Sequence, residues 1–297
     1  MLKVKNLQKA YGNVEILKDV NFEVFAGEIV GFVGRNGSGK TTTMRSILGL
    51  IRFDSGVIEL NGNPISIKNL KNIGYMPEER GLYAKQPVYD QIKFFAQLQG
   101  ITSDEISRII PSTLDQFELT SKRNELLGKL SLGNQQRIQY IISIAHDPQL
   151  LILDEPFSGL DPMAANVMIA HLKRMASHGK AILFSSHQLG LVSEICDRIV
   201  ILDCGRIVAN DSVENLQKLP KATFCIQSKK IPKSWSESRF FTEISRTENQ
   251  VTVEFERSDY EGKIAHILTE ALSYGAVSGF FELKPSLNEI YENLISA

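Results

Sequence analysis

The chain has 297 residues, 43% of them hydrophobic, which is typical of a globular protein with room for one large domain and one small one. Lys and Arg number 33 against 34 for Asp and Glu, a net charge of −1, so a broad nucleic-acid-binding face is not expected. No run approaches the roughly 18 apolar residues of a membrane-spanning helix, and the opening residues alternate like a strand rather than a secretion signal. We therefore expect a cytoplasmic protein whose membrane role, if it has one, comes through another chain.

The N-terminal segment alternates apolar and polar residues, as at Leu2, Val4 and later Val20. This period of two predicts antiparallel strands with one buried face over residues 1 to about 33. Tyr11 interrupts the pattern beside a glycine turn. On the residues alone it either packs against the turn or stacks on a base.

Residues 34–41 fit the phosphate-binding pattern G-x-x-x-x-G-K-[ST]. A buried strand is predicted before this loop, at residues 29–33, and a helix after it, at residues 41–48. Glycines let backbone N–H groups close around phosphate oxygens, and the helix start adds positive potential. Lys40 can reach the terminal phosphates and Thr41 can offer its hydroxyl to Mg²⁺. The alternative is a glycine-rich surface turn. The predicted phosphate-binding residues are Gly34, Asn36, Gly37, Ser38, Gly39, Lys40, Thr41 and Thr42.

The next segments are a strand at residues 56–60, a hairpin turn at Asn61 and Gly62, and a further strand that Pro77 should end. Residues 88–130 lack strand signals. Their apolar residues recur at helical spacing and predict an all-helical insertion whose apolar stripe is ordinary core.

A second cluster begins at Ser131, which is predicted to cap a helix running to Ala145. Together with Gly133 it makes a second possible anion site at a helix start, although most such starts are only caps.

Two carboxylates, Asp154 and Glu155, follow four consecutive apolar residues that predict a buried parallel strand at residues 150–153. Ligands of parallel sheets gather at this edge. Asp154 is placed to hold Mg²⁺ through water, and Glu155 to activate a water against the terminal phosphate. The alternative is a helix-capping Asp-Glu pair before Pro156.

Another buried strand at residues 181–184 leads to His187, which could meet a phosphate oxygen, although a lone histidine is usually structural. A hairpin is predicted at residues 198–208. Three cysteines without metal-ligand spacing are predicted to be small core residues in a reducing interior. They are Cys196, Cys204 and Cys225.

In this order, the segments resemble the ATP-binding subunit of ABC transporters over residues 1 to about 215. The phosphate loop alone is shared by many nucleotidases, and the signature segment, residues 130–136, makes the match specific. The resemblance implies an α/β fold: a P-loop NTPase core with an antiparallel β subdomain and a helical subdomain at about residues 79–145.

The resemblance also implies an ATPase that uses ATP and Mg²⁺. It makes Glu155 the general base, His187 the switch histidine and Tyr11 the aromatic that stacks on adenine, with Lys40 at the phosphates. Family sites form between two such subunits, homodimeric or heterodimeric. Ser131 and Gly133 would therefore touch the γ-phosphate held by the other chain.

Two departures from the family pattern stand out. In the signature segment, the usual L-S-G-G-Q is here Leu-Ser-Leu-Gly-Asn, which keeps Ser131 and Gly133. The second departure is Glu78, which stands where many members have a glutamine that links the metal, the water and the membrane partner. The resemblance implies that Glu78, at the position of that glutamine, is a metal-site residue. Residues 75–83 are similar to the export-type branch of sodium-efflux and drug-resistance ATPases, and residues 81–83 with the following helices are where a permease would dock.

Composition shifts after Leu219-Pro220, and residues 216–297 predict a small C-terminal α+β accessory domain. Strands are expected at residues 222–227, 240–246, 251–256 and 277–283, with helices at residues 258–275 and near the C-terminus. The domain resembles the extension of export-type members, for which we expect a dimerising or regulatory role, with substrate sensing as the alternative. Trp235 is expected to fold over its own domain rather than to anchor a partner.

The leading hypothesis is an ATP-hydrolysing subunit that powers export of a small ion, drug or antibiotic through a separate membrane permease, at the inner face of the cell membrane. The first alternative is a soluble ABC-type protein acting on DNA or the ribosome. The sequence shows no coiled-coil arms, no zinc modules and no excess of basic residues, which argues against this alternative. The second is an importer ATPase, which a β-barrel tail would favour.

Overall fold

The protein is described from a computed structural model that covers residues 1–218, 221–228, 231–232, 235, 240–258 and 260–296. The chain divides into two compact units, Met1–Val213 with Leu294–Ala297, and Glu214–Asn293. Each unit has its own hydrophobic core. Across the described residues, every helix is either too short or too polar to cross a bilayer.

The large unit contains two sheets and a set of helices. Its strands are β1 Leu2–Tyr11, β2 Val14–Val24, β3 Ile29–Val33, β4 Ser55–Leu60, β5 Asn63–Pro64, β6 Ile73–Met76, β7 Leu150–Leu153, β8 Ala181–Ser186, β9 Arg198–Asp203 and β10 Arg206–Ser212. Its helices are α1 Lys40–Ile47, α2 Ile67–Leu70, α3 Val88–Leu98, α4 Ser103–Gln116, α5 Leu132–Ile144, α6 Pro162–Ser177 and α7 Leu189–Ile195, and α8 Val213–Leu216 spans the boundary between the units.

The first sheet is largely parallel, with strand order β10-β9-β3-β8-β7-β6. Strands β3, β7 and β8 are buried along their whole length, as expected for continuous apolar runs covered on both faces. Since β3 pairs in parallel with β8, and β8 with β7, their carboxyl ends meet at one edge. The chain segments that follow these strands, including the glycine loop after β3, therefore converge there.

The second sheet is antiparallel, with strand order β2-β1-β4-β5, as the alternating N-terminal pattern predicts. The turn between β4 and β5 has positive φ angles of 53° at Asn61 and 76° at Gly62. This is the conformation that an Asn-Gly hairpin favours. Apolar side chains from both sheets and from α1 form one core cluster.

The segment between the two chemical motifs of the large unit is helical, as predicted. It comprises α3, α4, the short 3₁₀ turns Thr120–Lys122 and Leu127–Lys129, and then α5. Thr102 and Glu105 form a capping box at the start of α4, and one isolated bridge joins Pro87 to Leu126. The apolar stripe lies in the core, as at Val88 and Ile92.

The C-terminal unit is an antiparallel sheet with helices, so the α+β prediction is confirmed in the described residues. Its strand order is β12-β13-β11-β14. Trp235 is 2% exposed, with its ring centroid 4.5 Å from that of Phe241, and so packs into its own unit as predicted. The elements are β11 Lys221–Gln227, β12 Thr242–Arg246, β13 Gln250–Glu256, α9 Tyr260–Tyr274, β14 Gly279–Glu282 and α10 Leu287–Ser296, the last three residues of which are grouped with the large unit.

The cysteine prediction is wrong for one residue. Cys225 is buried, and burial raises the pKa of the Cys196 thiol well above its usual range. Cys204 is instead exposed in the turn between β9 and β10, where its φ is 45°. In that turn Gly205 packs against the backbone of β2, whereas the Cys204 side chain is exposed to solvent.

Candidate functional site

The glycine loop between β3 and α1 is shaped by contacts that exclude larger side chains. A Cβ atom at Gly34 would lie 2.2 Å from the carbonyl oxygen of Leu202, and one at Gly39 would lie 2.6 Å from Leu17 Cδ2. Gly39 is also the N-cap of α1, with a φ of 110° that L-residues rarely adopt. The loop can therefore keep its backbone N–H groups at the helix start, where anions bind.

Lys40, the first residue of α1, lies across this loop. Its Nζ donates to the carbonyl oxygens of Gly34, at 2.7 Å, and Arg35, at 3.1 Å. The residue is only 7% exposed, and burial lowers the pKa of its ammonium group, while the carboxylates of Glu155, Asp154 and Glu78 act in the opposite direction. An ammonium group held in this way is placed to meet an anion at the loop.

Asp154, directly after β7, meets the phosphate loop despite a separation of 113 residues. Thr41 Oγ1 donates to Asp154 Oδ2 at 2.8 Å, and Ser185 Oγ donates to Asp154 Oδ1 at 2.5 Å. This hydroxyl–carboxylate pair offers the hard oxygen ligands that Mg²⁺ prefers. The described residues contain no group of three or more His, Cys, Asp or Glu side chains that could hold a metal alone.

Glu155 has a strained backbone conformation, with a positive φ of 51°. Two side chains hold it in place: Ser185 Oγ accepts from its N–H at 2.9 Å, and Gln136 Nε2 donates to its carbonyl oxygen at 3.1 Å. Gln136 also donates to the carbonyl oxygen of Pro156 at 3.1 Å. The position of the carboxylate is thus fixed from β8 and from α5.

The Glu155 side chain contacts His187, whose Nδ1 lies 2.9 Å from Glu155 Oε2. Burial raises the pKa of the Glu155 carboxyl, and the hydrogen bond from His187 partly offsets that rise. A carboxylate with a raised pKa beside a histidine can accept a proton from water more readily than an ordinary exposed carboxylate.

Lys40, Asp154 and Glu155 border one open cavity of about 320 Å³. His187 contacts Glu155 but is not itself a lining residue of this cavity. Tyr11 stands at its border, 51% exposed, with Lys9 Nζ 5.1 Å from its ring centroid. Ser38 Oγ is buried and has no hydrogen-bond partner in the described part of the chain. The predicted site residues that line the cavity are Tyr11, Asn36, Gly37, Gly39, Lys40, Thr41, Thr42, Glu78, Asp154 and Glu155.

Ser131 and Gly133 do not line this cavity. Ser131 Oγ accepts from the N–H of Asn134 at 3.3 Å and caps α5, as predicted. A Cβ atom at Gly133 would lie 3.0 Å from the carbonyl oxygen of Gly159, so the helix start packs against the loop after Glu155. Within one chain, the two predicted anion sites are separate.

Sequence reasoning missed Gln136 and Ser185. Gln136 belongs to the signature segment but carried no predicted role, because nothing in the sequence shows that α5 reaches Glu155. Ser185 stands at the carboxyl end of a buried parallel strand, two residues before His187. A polar residue at the carboxyl end of a buried parallel strand could have indicated a role in the site, because ligands bind at that edge of the sheet.

The loop, the acids and the parallel sheet define a P-loop ATPase. The family model for ABC transporters matches residues 17–158. YhaQ of Bacillus subtilis, an ABC transporter ATP-binding protein, is 33% identical over 298 residues, which is 100% of this chain and 99% of YhaQ. The chain therefore belongs to the ABC transporter ATP-binding proteins, and the resemblance of its motifs to that family is confirmed.

Two further comparisons bear on this family. The linearmycin resistance ATP-binding protein LnrL of Bacillus subtilis is 34% identical and covers 70% of this chain and 68% of LnrL. A solved ATP-binding subunit of an ABC transporter has a TM-score of 0.69 and 31% identity, and covers 73% of this chain and 92% of the solved chain. The predicted α/β P-loop fold is thus confirmed, and the chain is an ATPase subunit.

Proposed function

We propose that the cavity beside the glycine loop binds ATP with Mg²⁺ and that Glu155 promotes attack of water on the γ-phosphate. One observation carries the proposal. Residues from three strand ends, namely Lys40 after β3, Asp154 and Glu155 after β7 and His187 after β8, converge on one edge of the sheet. Ligands of parallel α/β sheets bind at that edge.

Each residue has a separate task in this proposal. The loop N–H groups and Lys40 hold the phosphates, and Tyr11 stacks on the base. Thr41 and Asp154, with Glu78 across the cavity, would hold Mg²⁺, which supplies positive charge to the phosphate oxygens. Glu155 takes the proton of the attacking water, and His187 orients the Glu155 carboxylate.

Ser131 and Gly133 would act on a second copy or a related subunit. A helix start leaves backbone N–H groups without helical partners, and neither residue lines the cavity of its own chain. In a dimer of ATP-binding subunits, it would close on the γ-phosphate held by the partner. ATP would then join the two subunits, and hydrolysis would let them part.

The hydrolysis would power export through a separate permease at the cytoplasmic face of the membrane. Export is favoured over import and over a nucleic-acid role by the similarity to LnrL, named for linearmycin resistance, and by the balanced charge of the chain. Among the residues that the structure describes, the C-terminal unit has a four-stranded antiparallel sheet with helices, whereas a β-barrel tail would favour an importer.

Export can be tested in cells that carry a tagged version of this chain. We expect the chain to co-purify with an integral membrane protein, and we expect cells with Lys40→Ala to retain a compound that wild-type cells expel. Glu79→Gln is the matched control, because Glu79 is exposed and does not line the cavity. Recovery with ribosomes or DNA and without a membrane protein would contradict the proposal.

A further inference from the structure

The aromatic ring at the border of the nucleotide cavity is half-exposed. Tyr11 is the last residue of β1, and the next residue, Gly12, begins the turn to β2 with a φ of 59°. An exposed side chain at a strand end loses rotational freedom when a ligand orders it, and this loss weakens binding. A contact that holds the ring in advance would therefore strengthen the binding of a base.

Lys9 supplies such a contact. It lies two residues before Tyr11 on β1, and its Nζ lies over the Tyr11 ring, 5.1 Å from the ring centroid. This distance is within the roughly 6 Å at which an ammonium group is attracted to the face of an aromatic ring. The Lys9 side chain is only 13% exposed, so it is held at the ring rather than extended into water. The ammonium group occupies one face of the ring, which leaves the opposite face for a base.

Asp54, the residue directly before β4, holds Lys9 in this position. Its Oδ1 accepts from Lys9 Nζ at 3.1 Å, and its Oδ2 accepts from the backbone N–H of Ala10 at 2.7 Å. The Ala10 bond, followed by the Lys9 bond, holds the pKa of the Asp54 carboxyl below its usual range, so the group stays ionised at neutral pH. Because the Asp54 side chain is 51% exposed, the ion pair adds little to folding stability. Its effect is on where Lys9 and the end of β1 lie.

The same carboxylate extends the pairing of β1 beyond its last partner in β4. The register between the two strands ends with Gln8 opposite Ser55, and the Asp54 N–H donates to the carbonyl oxygen of Gln8 at 2.9 Å. The Ala10 N–H then bonds to the Asp54 carboxylate instead of to a strand partner. One side chain therefore fixes both the backbone just before Tyr11 and the cation over its ring.

We propose that Lys9 and Asp54 are positioning residues for the nucleotide base. Asp54 fixes the end of β1 and the Lys9 ammonium group, and the ammonium group fixes the Tyr11 ring with one face open to the base. Neither is one of the described residues that line the cavity, so both act through Tyr11 rather than by touching the nucleotide. This inference rests on the proposed function, in which Tyr11 stacks on the base.

The test compares ATP with inorganic triphosphate, a probe that has phosphates but no base, by equilibrium binding to the full-length chain with Mg²⁺. In Lys9→Met, which keeps the length of the side chain and removes its charge, we expect ATP to bind about two- to fivefold more weakly, the range of an exposed cation–π contact. Triphosphate should bind as it does to the natural chain, because its binding does not depend on the orientation of Tyr11. Asp54→Asn should show the same selective loss.

Three controls separate positioning from a merely structural role. Lys9→Arg keeps a cation that can lie over the ring and should bind ATP normally. Lys5→Met removes an exposed charge from the same strand, outside the cavity, and should bind both ligands normally. In the Tyr11→Ala background, Lys9→Met should cause no further loss of ATP binding, because a positioning residue has no effect once the residue that it positions is absent.

An equal loss of ATP and triphosphate binding in folded Lys9→Met, or an undiminished loss in the Tyr11→Ala background, would show that Lys9 attracts the phosphates directly and would overturn the proposal. If circular dichroism shows that Lys9→Met does not fold, the exposed change Asp54→Asn decides the same comparison. Unchanged ATP binding in these variants, where Tyr11→Ala weakens it, would overturn this proposal and leave the proposed function intact. If Tyr11→Ala itself binds ATP normally, the base stack of the proposed function fails, and the role of Lys9 and Asp54 fails with it.

Discussion

The chain contains two glycine-bearing helix starts that differ in what surrounds them. The start of α1 is enclosed by groups from distant parts of the same chain. Asp154 accepts a hydrogen bond from Thr41, and Glu155, which lines the same cavity, contacts His187. The start of α5 packs on the loop at Gly159 but does not border that cavity. A helix start becomes a reaction site only when other groups converge on it, so we propose that a second chain completes the start of α5.

The largest expected effect tests the enclosed site. Glu155→Gln keeps the shape of the side chain but removes the base, so ATP hydrolysis should fall by about a hundredfold or more while ATP binding remains. Steady-state hydrolysis and equilibrium binding are measured on the same preparation. Glu79→Gln, an exposed neighbouring change, should hydrolyse ATP normally. Unchanged turnover in Glu155→Gln would remove Glu155 from the reaction.

The next prediction concerns the link from α5 to the enclosed site. Gln136→Leu removes the side-chain donor to the carbonyl oxygens of Glu155 and Pro156 and so loosens the strained backbone at Glu155, and kcat should fall about tenfold. The KM for ATP should change little, because Gln136 does not line the cavity. A rise in KM at constant kcat would show that α5 acts on binding rather than on the position of Glu155.

A smaller effect is expected at the border of the cavity. Tyr11→Ala should weaken ATP binding about tenfold, the typical loss when a base–aromatic stack is removed. Tyr11→Phe keeps the ring and should bind ATP as tightly as the natural chain. Equal losses in both variants would mean that the hydroxyl, rather than the ring face, matters.

The smallest expected effect is a shift in the pH dependence of kcat. Only ionised Glu155 can act as base, so kcat is lost as pH falls through its pKa, which burial raises above the ordinary value of about 4.3. His187→Gln removes the hydrogen bond that lowers this pKa, so the acid limb of the kcat profile should move to higher pH. His178→Gln, an exposed histidine outside the cavity, should leave the limb in place. Movement to lower pH would contradict the account.

Much of the enclosed site could be predicted from sequence because its parts are local. A glycine loop between strand and helix, and acids after an apolar strand, each imply their own backbone geometry, and parallel pairing brings them to one edge. The same reasoning found the strands, the Asn61-Gly62 hairpin and the helical insertion. Packing decided what local patterns could not. Gln136 reaches Glu155 only because α5 lies against the loop after β7, and Cys204 is exposed in a turn that packs on β2 through Gly205 instead.

The central claim is the difference between the two helix starts. Its most direct test compares Glu155→Gln with the double variant Glu155→Gln, Ser131→Arg, measuring both ATP binding by the single chain and ATP-dependent association by light scattering. We predict that both chains bind ATP equally and that only Glu155→Gln associates when MgATP is added. If Ser131→Arg weakens ATP binding by the single chain, or if the double variant associates normally, then the start of α5 does not act on a partner's nucleotide.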